Sequence, residues 1–141
     1  MYTRMLIPLD GSKVAEQVLP YARFLAKTLA MPVDLLGVVD PEAFVAFSNP
    51  AQGRHVDVLV AETMSRTALY LEAAAWSFSA GQVKCSTGKG KAEEVVIEKA
   101  AADKNTLIVM RRCFTYSHRF SRRVWPNSIY SRPCTSCFTV R

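Results

Sequence analysis

Beyond Met110 the chain loses six common residue types at once: Arg111 to Arg141 contains no Gly, Ala, Leu, Lys, Asp or Glu. Without Ala, Leu and Glu the stretch is short of strong helix formers. Without Gly it lacks the residue best suited to positive φ and to close approach of backbone to a ligand. Cysteine is sparse as well. The four thiols, Cys85, Cys113, Cys134 and Cys137, are too few and too unevenly placed for a secreted disulfide scaffold, and they fit a reducing cytosol. No run approaches the roughly eighteen unbroken apolar residues of a membrane span, and the short N-terminal apolar run is broken by Pro8 and Asp10, which excludes a signal peptide. The expectation is a soluble, cytoplasmic protein with no membrane association.

What is present suits one domain spanning residues 1–141. Half of the 141 residues are apolar, enough to bury a core without metal or disulfide help. The formal charge of +6 is local in origin. Seven of the eighteen Lys and Arg lie between Arg111 and Arg141, which leaves eleven against twelve Asp and Glu in a nearly neutral body.

Strands and helices alternate along that body. Met5 to Leu9 forms a short buried strand that stops at Asp10-Gly11-Ser12, where Ser12 caps the next helix. Val14, Val18, Ala22, Leu25 and Leu29 recur at helical spacing, with Pro20 inside the stripe, so a single helix kinked near Glu16 to Pro20 is expected. Met31-Pro32 ends it, and Val33 to Val39 is a second strand closed by Asp40-Pro41. Residues 41–56 form a connection. From Asp57, the stripe Ala61, Met64, Ala68, Leu71, Ala75 and Phe78 marks a long helix ended by Ala80-Gly81. A strand over Gln82 to Thr87, a turn at Gly88-Lys89-Gly90, a helix over Ala92 to Ala102 and a strand over Thr106 to Met110 follow. Phe138-Thr139-Val140 is a candidate fifth strand. This order predicts an α/β fold with right-handed crossovers and a mainly parallel sheet covered on both faces.

Over roughly residues 1–110 the sequence resembles the universal stress protein family. The resemblance is carried by the opening Met5-Leu6-Ile7-Pro8-Leu9-Asp10-Gly11-Ser12, by Leu19-Pro20-Tyr21-Ala22, and by Asp34-Leu35-Leu36-Gly37-Val38-Val39-Asp40. It continues in Gly90-Lys91-Ala92-Glu93-Glu94-Val95 and Thr106-Leu107-Ile108-Val109-Met110. It implies a Rossmann-like, open, five-stranded parallel sheet, and a homodimer paired through the last strand. It also implies an adenine-nucleotide site, with ATP and its Mg²⁺ as the family's ligand. Asp10, flanked by Pro8 and Leu9, would meet the ribose or adenine side, Val38 would meet the adenine, and Met110 would precede the phosphate loop.

That loop has the family form Gly-x-x-Gly, nine residues, then Gly-Ser or Gly-Thr. Here Arg111 and Phe114 stand at the two loop glycines and Val124-Trp125 at the Gly-Ser; Asn127-Ser128, slightly later, also lacks glycine. Glycines there let backbone N–H groups approach phosphates beside a helix N-terminus, and bulky residues would fill the phosphates' space. The adenosine half of the site is therefore expected to survive, and the phosphate half is not. Arg111, Arg112, Arg119, Arg122 and Arg123 offer guanidinium groups that bind phosphate, but a solvated basic run is preferred for them. Two explanations of the tail compete, a shifted reading frame in the gene and extreme divergence; the frame shift is favoured.

Other chemistry is less well supported. Cys134-Thr135-Ser136-Cys137 follows Pro133 instead of opening a helix, so a redox role lacks its context. With Cys113 and His118 the pair makes an acceptable zinc ligand set, but the spacing matches no finger, and no metal is expected beyond Mg²⁺ carried by ATP. Arg residues interleaved with Phe114, Tyr116, His118, Phe120, Trp125 and Tyr130 suggest nucleic acid, a reading disfavoured by the neutral body and the lack of a defined module. His55 has no nucleophile partner, and Glu93-Glu94 serve a helix N-terminus better than acid/base work. A stress-response binding or signalling module, not an enzyme, is the expectation, with a nucleotide-independent dimer as the alternative.

Overall fold

The computed structural model describes residues 2–45, 53–78 and 83–111, together with the backbone of 138–140. Strands β1 (Arg4–Leu9), β2 (Val33–Val39), β3 (Val83–Lys89), β4 (Thr106–Met110) and β5 (Phe138–Val140) form one sheet in the order β3-β2-β1-β4-β5. The first four run parallel. Met5 pairs with Val33 and Leu9 with Gly37, Leu6 pairs with Ile108, and Val38 pairs with Gly88. The alternation of side chains along these strands divides the core in two. Met5, Ile7, Leu9, Val33, Leu35, Leu107 and Val109 face one side; Leu6, Leu36 and Ile108 face the other.

The first face is covered by α1 (Lys13–Glu16), α2 (Leu19–Leu29) and α4 (Gly53–Ala75), through Val18, Ala22 and Leu71, with Phe78 beyond the end of α4. The second is covered by α5 (Ala92–Ala101), through Val95 and Val96. Each fully buried Leu or Ile contributes about 1.5–3 kcal/mol, so β1 and β2 anchor both layers at once. Gly37 marks the closest helix approach: a Cβ there would collide with Thr67 Cγ2 of α4.

At the other end of the sheet, Arg4 ties three segments together. Its Nε donates to Thr106 Oγ1 at 2.8 Å, it donates to the Lys99 carbonyl, and it lies 3.9 Å from the Asp34 carboxylate. Asp34, only 8% exposed, also accepts from Ser86 Oγ at 3.0 Å. A buried carboxylate requires such partners to offset lost hydration.

Five expectations change. The kinked helix is two helices, α1 and α2, separated at Gln17-Val18, where Val18 N–H donates to the Ala15 carbonyl. Pro20 falls in the first turn of α2, where its missing N–H would have had no helical acceptor anyway, so a break is less costly than a kink. Val14 and Leu29, the ends of the expected stripe, are exposed. Part of the expected connection, Pro41–Val45, is the short helix α3, whose first turn is capped by Asp40 Oδ1 accepting from Glu42 N–H at 2.9 Å. The long helix begins at Gly53 and ends at Ala75, with Val60, and not the exposed Ala61, buried near its start.

Strand β3 extends through the expected turn to Lys89, because Gly88 keeps its pairing with Val38. Strand β5 runs antiparallel to β4, pairing Met110 with Phe138 and Ile108 with Val140. A parallel fifth strand needs a crossover, usually helical, and the tail sequence is short of helix formers; an antiparallel one does not. The tail's arginines after Arg111, its aromatics from Phe114 to Tyr130, His118 and its three cysteines lie outside the described residues.

Candidate functional site

The chain runs β1, β2, β3 to one side of β1 and then returns to β4 on the other, so the strand order reverses between β1 and β4. In open α/β sheets, ligands bind at the carboxyl ends of the strands flanking such a reversal. The five expected site residues lie at the carboxyl ends of those two strands and of neighbouring β2. Pro8 and Leu9 end β1, Val38 is the penultimate residue of β2, Met110 ends β4, and Asp10 follows β1.

Side-chain direction separates them. Pro8 follows Leu6 by two residues, Val38 follows Leu36 and Met110 follows Ile108, so all three point to the α5 face, and all three are half-buried. Val38 and Met110 pack against the core of that face. Leu9 points the other way into the α4 layer, 4% exposed, so only its backbone faces the strand ends.

Asp10 is exposed and starts a tight turn. Its Oδ1 accepts from Ser12 N–H at 2.9 Å, and Ser12 Oγ accepts from Ala15 N–H at 3.1 Å, capping α1. Gly11 supplies the φ of +78° between them, a conformation that favours glycine. On the β2–β3 side, Gly90 N–H donates to the Val39 carbonyl at 3.0 Å, and Lys91 lies 3.6 Å from Glu42 across two exposed side chains. These contacts place the first turn of α5 beside Val38.

One residue not singled out in the sequence is Tyr70 of α4, which packs against the core layer that holds Leu9. The Tyr70 hydroxyl of α4 is buried and makes no hydrogen bond of normal geometry. Burial pushes its pKa up to about 12, assisted by the nearby Glu16 carboxylate of α1 and by the charge of Asp10. A tyrosine inside an amphipathic stripe carries no signal in sequence that separates it from ordinary core. Elsewhere, the half-buried Cys85 thiol is held protonated by burial and by the charges of Glu72 and Asp34, which fits an inert thiol. No metal-binding cluster of His, Cys, Asp and Glu occurs among the described residues. No helix among them is long and apolar enough to cross a membrane.

A groove of about 270 Å³ opens at the opposite end of the sheet, beside Val33 and Val83, between Arg23, Phe24, Lys27 and Phe78. It contains none of the strand-end residues. Its position at the amino ends of β2 and β3 is not where this fold collects ligands.

A model of the universal stress protein family matches residues 1–112. The chain belongs to that family. Among solved structures, this universal stress protein is similar to the hypothetical protein MJ0577, at 21% identity and a TM-score of 0.65, over 78% of this chain and 74% of that one. It is similar to universal stress protein UspA from Lactobacillus plantarum, at 22% identity and a TM-score of 0.61, over 84% and 83%. A family member from Burkholderia pseudomallei gives 24% and 0.55, over 76% and 79%. No curated protein matches the chain. These likenesses establish the parallel α/β fold. The family match ends two residues past Met110, where the composition changes.

Proposed function

We propose that this universal stress protein is a stress-response binding module that recognises the adenosine part of an adenine nucleotide and has lost most of its grip on the phosphates. The observation that carries the reading is the placement of Pro8, Val38 and Met110. They are half-buried, apolar and on one face of the sheet, at the carboxyl ends of β1 and β4, which flank the reversal, and of neighbouring β2. Such a shelf suits the flat, apolar faces of a purine, and the exposed Asp10 carboxylate beside it suits a ribose hydroxyl.

The phosphate side lacks what phosphates need. Arg111 stands directly after β4 in place of a glycine, so a side chain occupies the point where backbone N–H groups would approach. ATP with Mg²⁺ therefore gains little over adenosine. The protein acts by binding rather than by catalysis, as a homodimer.

Titration of the ¹⁵N-labelled protein with adenosine tests the location. The expected result is saturable movement of the amides of Leu9, Asp10, Val38 and Met110. Movement confined to Arg23, Lys27 and Phe78 would assign the ligand to the opposite groove and overturn the reading.

A further inference from the structure

At the amino ends of β2 and β3, the groove between α2 and the residues after α4 joins an apolar bed to two cations. Helix α2 stops at Ala30, whose left-handed φ of 49° turns the chain through Met31-Pro32 into β2. Helix α4 stops at Ala75, and Phe78 packs into the core just beyond it. Between these two helix ends the groove of about 270 Å³ lies over Val33 and Phe78, both buried, with Met31 and Val83 half-buried at its sides. Phe24 lines it too, yet is 69% exposed. An aromatic ring left open beside an apolar bed has surface to gain from an apolar ligand.

Charge narrows the class of that ligand. Arg23 and Lys27 stand four residues apart on α2 and both line the groove, whereas no acidic side chain does so among the described residues. Arg23 Nη1 donates to the Ser77 carbonyl at 3.3 Å, which holds the guanidinium at the groove wall and uses one of its five N–H donors. Lys27 is exposed and has no acidic partner among the described residues. A cation in the last turn of α2 also suits the helix dipole, but the dipole does not call for an apolar bed beside it.

We propose that this groove is a second ligand site, for a small molecule with an apolar chain and one acid group, a medium-chain carboxylate. The chain lies against Phe24, Met31 and Phe78, and the carboxylate meets Arg23 and Lys27. The volume is just under the roughly 300–1,000 Å³ usual for small-molecule pockets, which suits a slender chain. Helix ends and faces build this site, not the loops that follow the strands, so it does not compete with the strand-end site and does not depend on the adenosine reading.

The test titrates decanoate, kept below its micelle concentration, into the ¹⁵N-labelled full chain, with decanol as the uncharged control. Decanoate should give saturable movement of the amides of Phe24, Lys27, Phe78 and Val83 and leave those of Asp10, Val38 and Met110 in place. Decanol should bind about fivefold more weakly. Lys27→Gln, at an exposed position, should lower decanoate affinity about twofold to fivefold and leave decanol affinity unchanged, and Lys27→Glu should abolish the preference for decanoate. Phe24→Ala should weaken both ligands alike. Groove amides that stay in place, equal affinity for decanoate and decanol, or decanoate affinity unaltered in both Lys27 variants would overturn the proposal. Movement of the groove amides on raising the protein concentration alone would assign the groove to a second copy of the chain and overturn it as well.

Discussion

At Asp10 one carboxylate is asked to close a turn and to meet a ligand. Its Oδ1 accepts from Ser12 N–H, and the residue is exposed. Asp10→Asn retains a carbonyl acceptor for Ser12, so stability should change by less than about 0.5 kcal/mol in urea denaturation. Exchanging a charged acceptor for a neutral one should weaken a ribose contact by about 1 kcal/mol, roughly fivefold in adenosine affinity. Unchanged affinity would leave Asp10 with the turn alone. Asp103 offers a second test at this scale. Thr3 Oγ1 donates to its Oδ2 at 2.7 Å and Asn105 N–H to its Oδ1 at 2.9 Å, and with Arg4 nearby these hold its carboxyl below the ordinary value of 3.8. A lowered folded pKa contributes stability that is present above about pH 4 and is lost as pH falls through the folded value. Asp103→Asn should therefore flatten the acid limb of the stability profile and leave the slope near neutral pH as it was.

The helices test how the elements were made. Pro20 occupies the first turn of α2, where no hydrogen bond is lost. Pro20→Ala should change stability by less than about 1 kcal/mol; a stabilisation near 3 kcal/mol, expected on removing proline from a helix interior, would restore the single kinked helix. Gly37 is an element-scale feature too, because α4 rests on it. Gly37→Ala should cost about 1–3 kcal/mol by forcing Thr67 and Leu71 away from β2, measurable as a lowered midpoint of denaturation.

The same elements show what was legible. Strand β4 ends where its apolar run ends, and β1 and β2 nearly so, since a buried parallel strand needs apolar residues on both faces. The break before α2 was not legible from periodicity, because Val14, Val18 and Ala22 are spaced by four residues whether or not the helix is continuous, and the deciding bond is a backbone contact. Helix α3 was missed because five residues hold too little pattern to exceed loop composition. For the site, Asp10, Val38 and Met110 were recognisable by their places after or within strands. The buried Tyr70 hydroxyl was not, since its burial is created by the packing of α4 on the sheet.

At the scale of the whole molecule, the boundary beyond Met110 divides what the fold supports from what it does not. The family match, the parallel sheet and the two core layers lie before it or close to it, and the excess of basic charge lies after it. The expected homodimer depends on the last strand, and β5 pairs antiparallel with β4 over only three residues. We propose that the dimer persists through this edge; sedimentation of the full chain should give a particle of twice 15.7 kDa, and a monomer across the accessible concentration range would contradict it. The central claim is that adenosine recognition survives while phosphate recognition is lost. Calorimetric titration with adenosine and, separately, with ATP and Mg²⁺ tests this most directly. The account predicts that both ligands bind, with affinities within about tenfold of each other. Tight binding of ATP with no measurable binding of adenosine would contradict it.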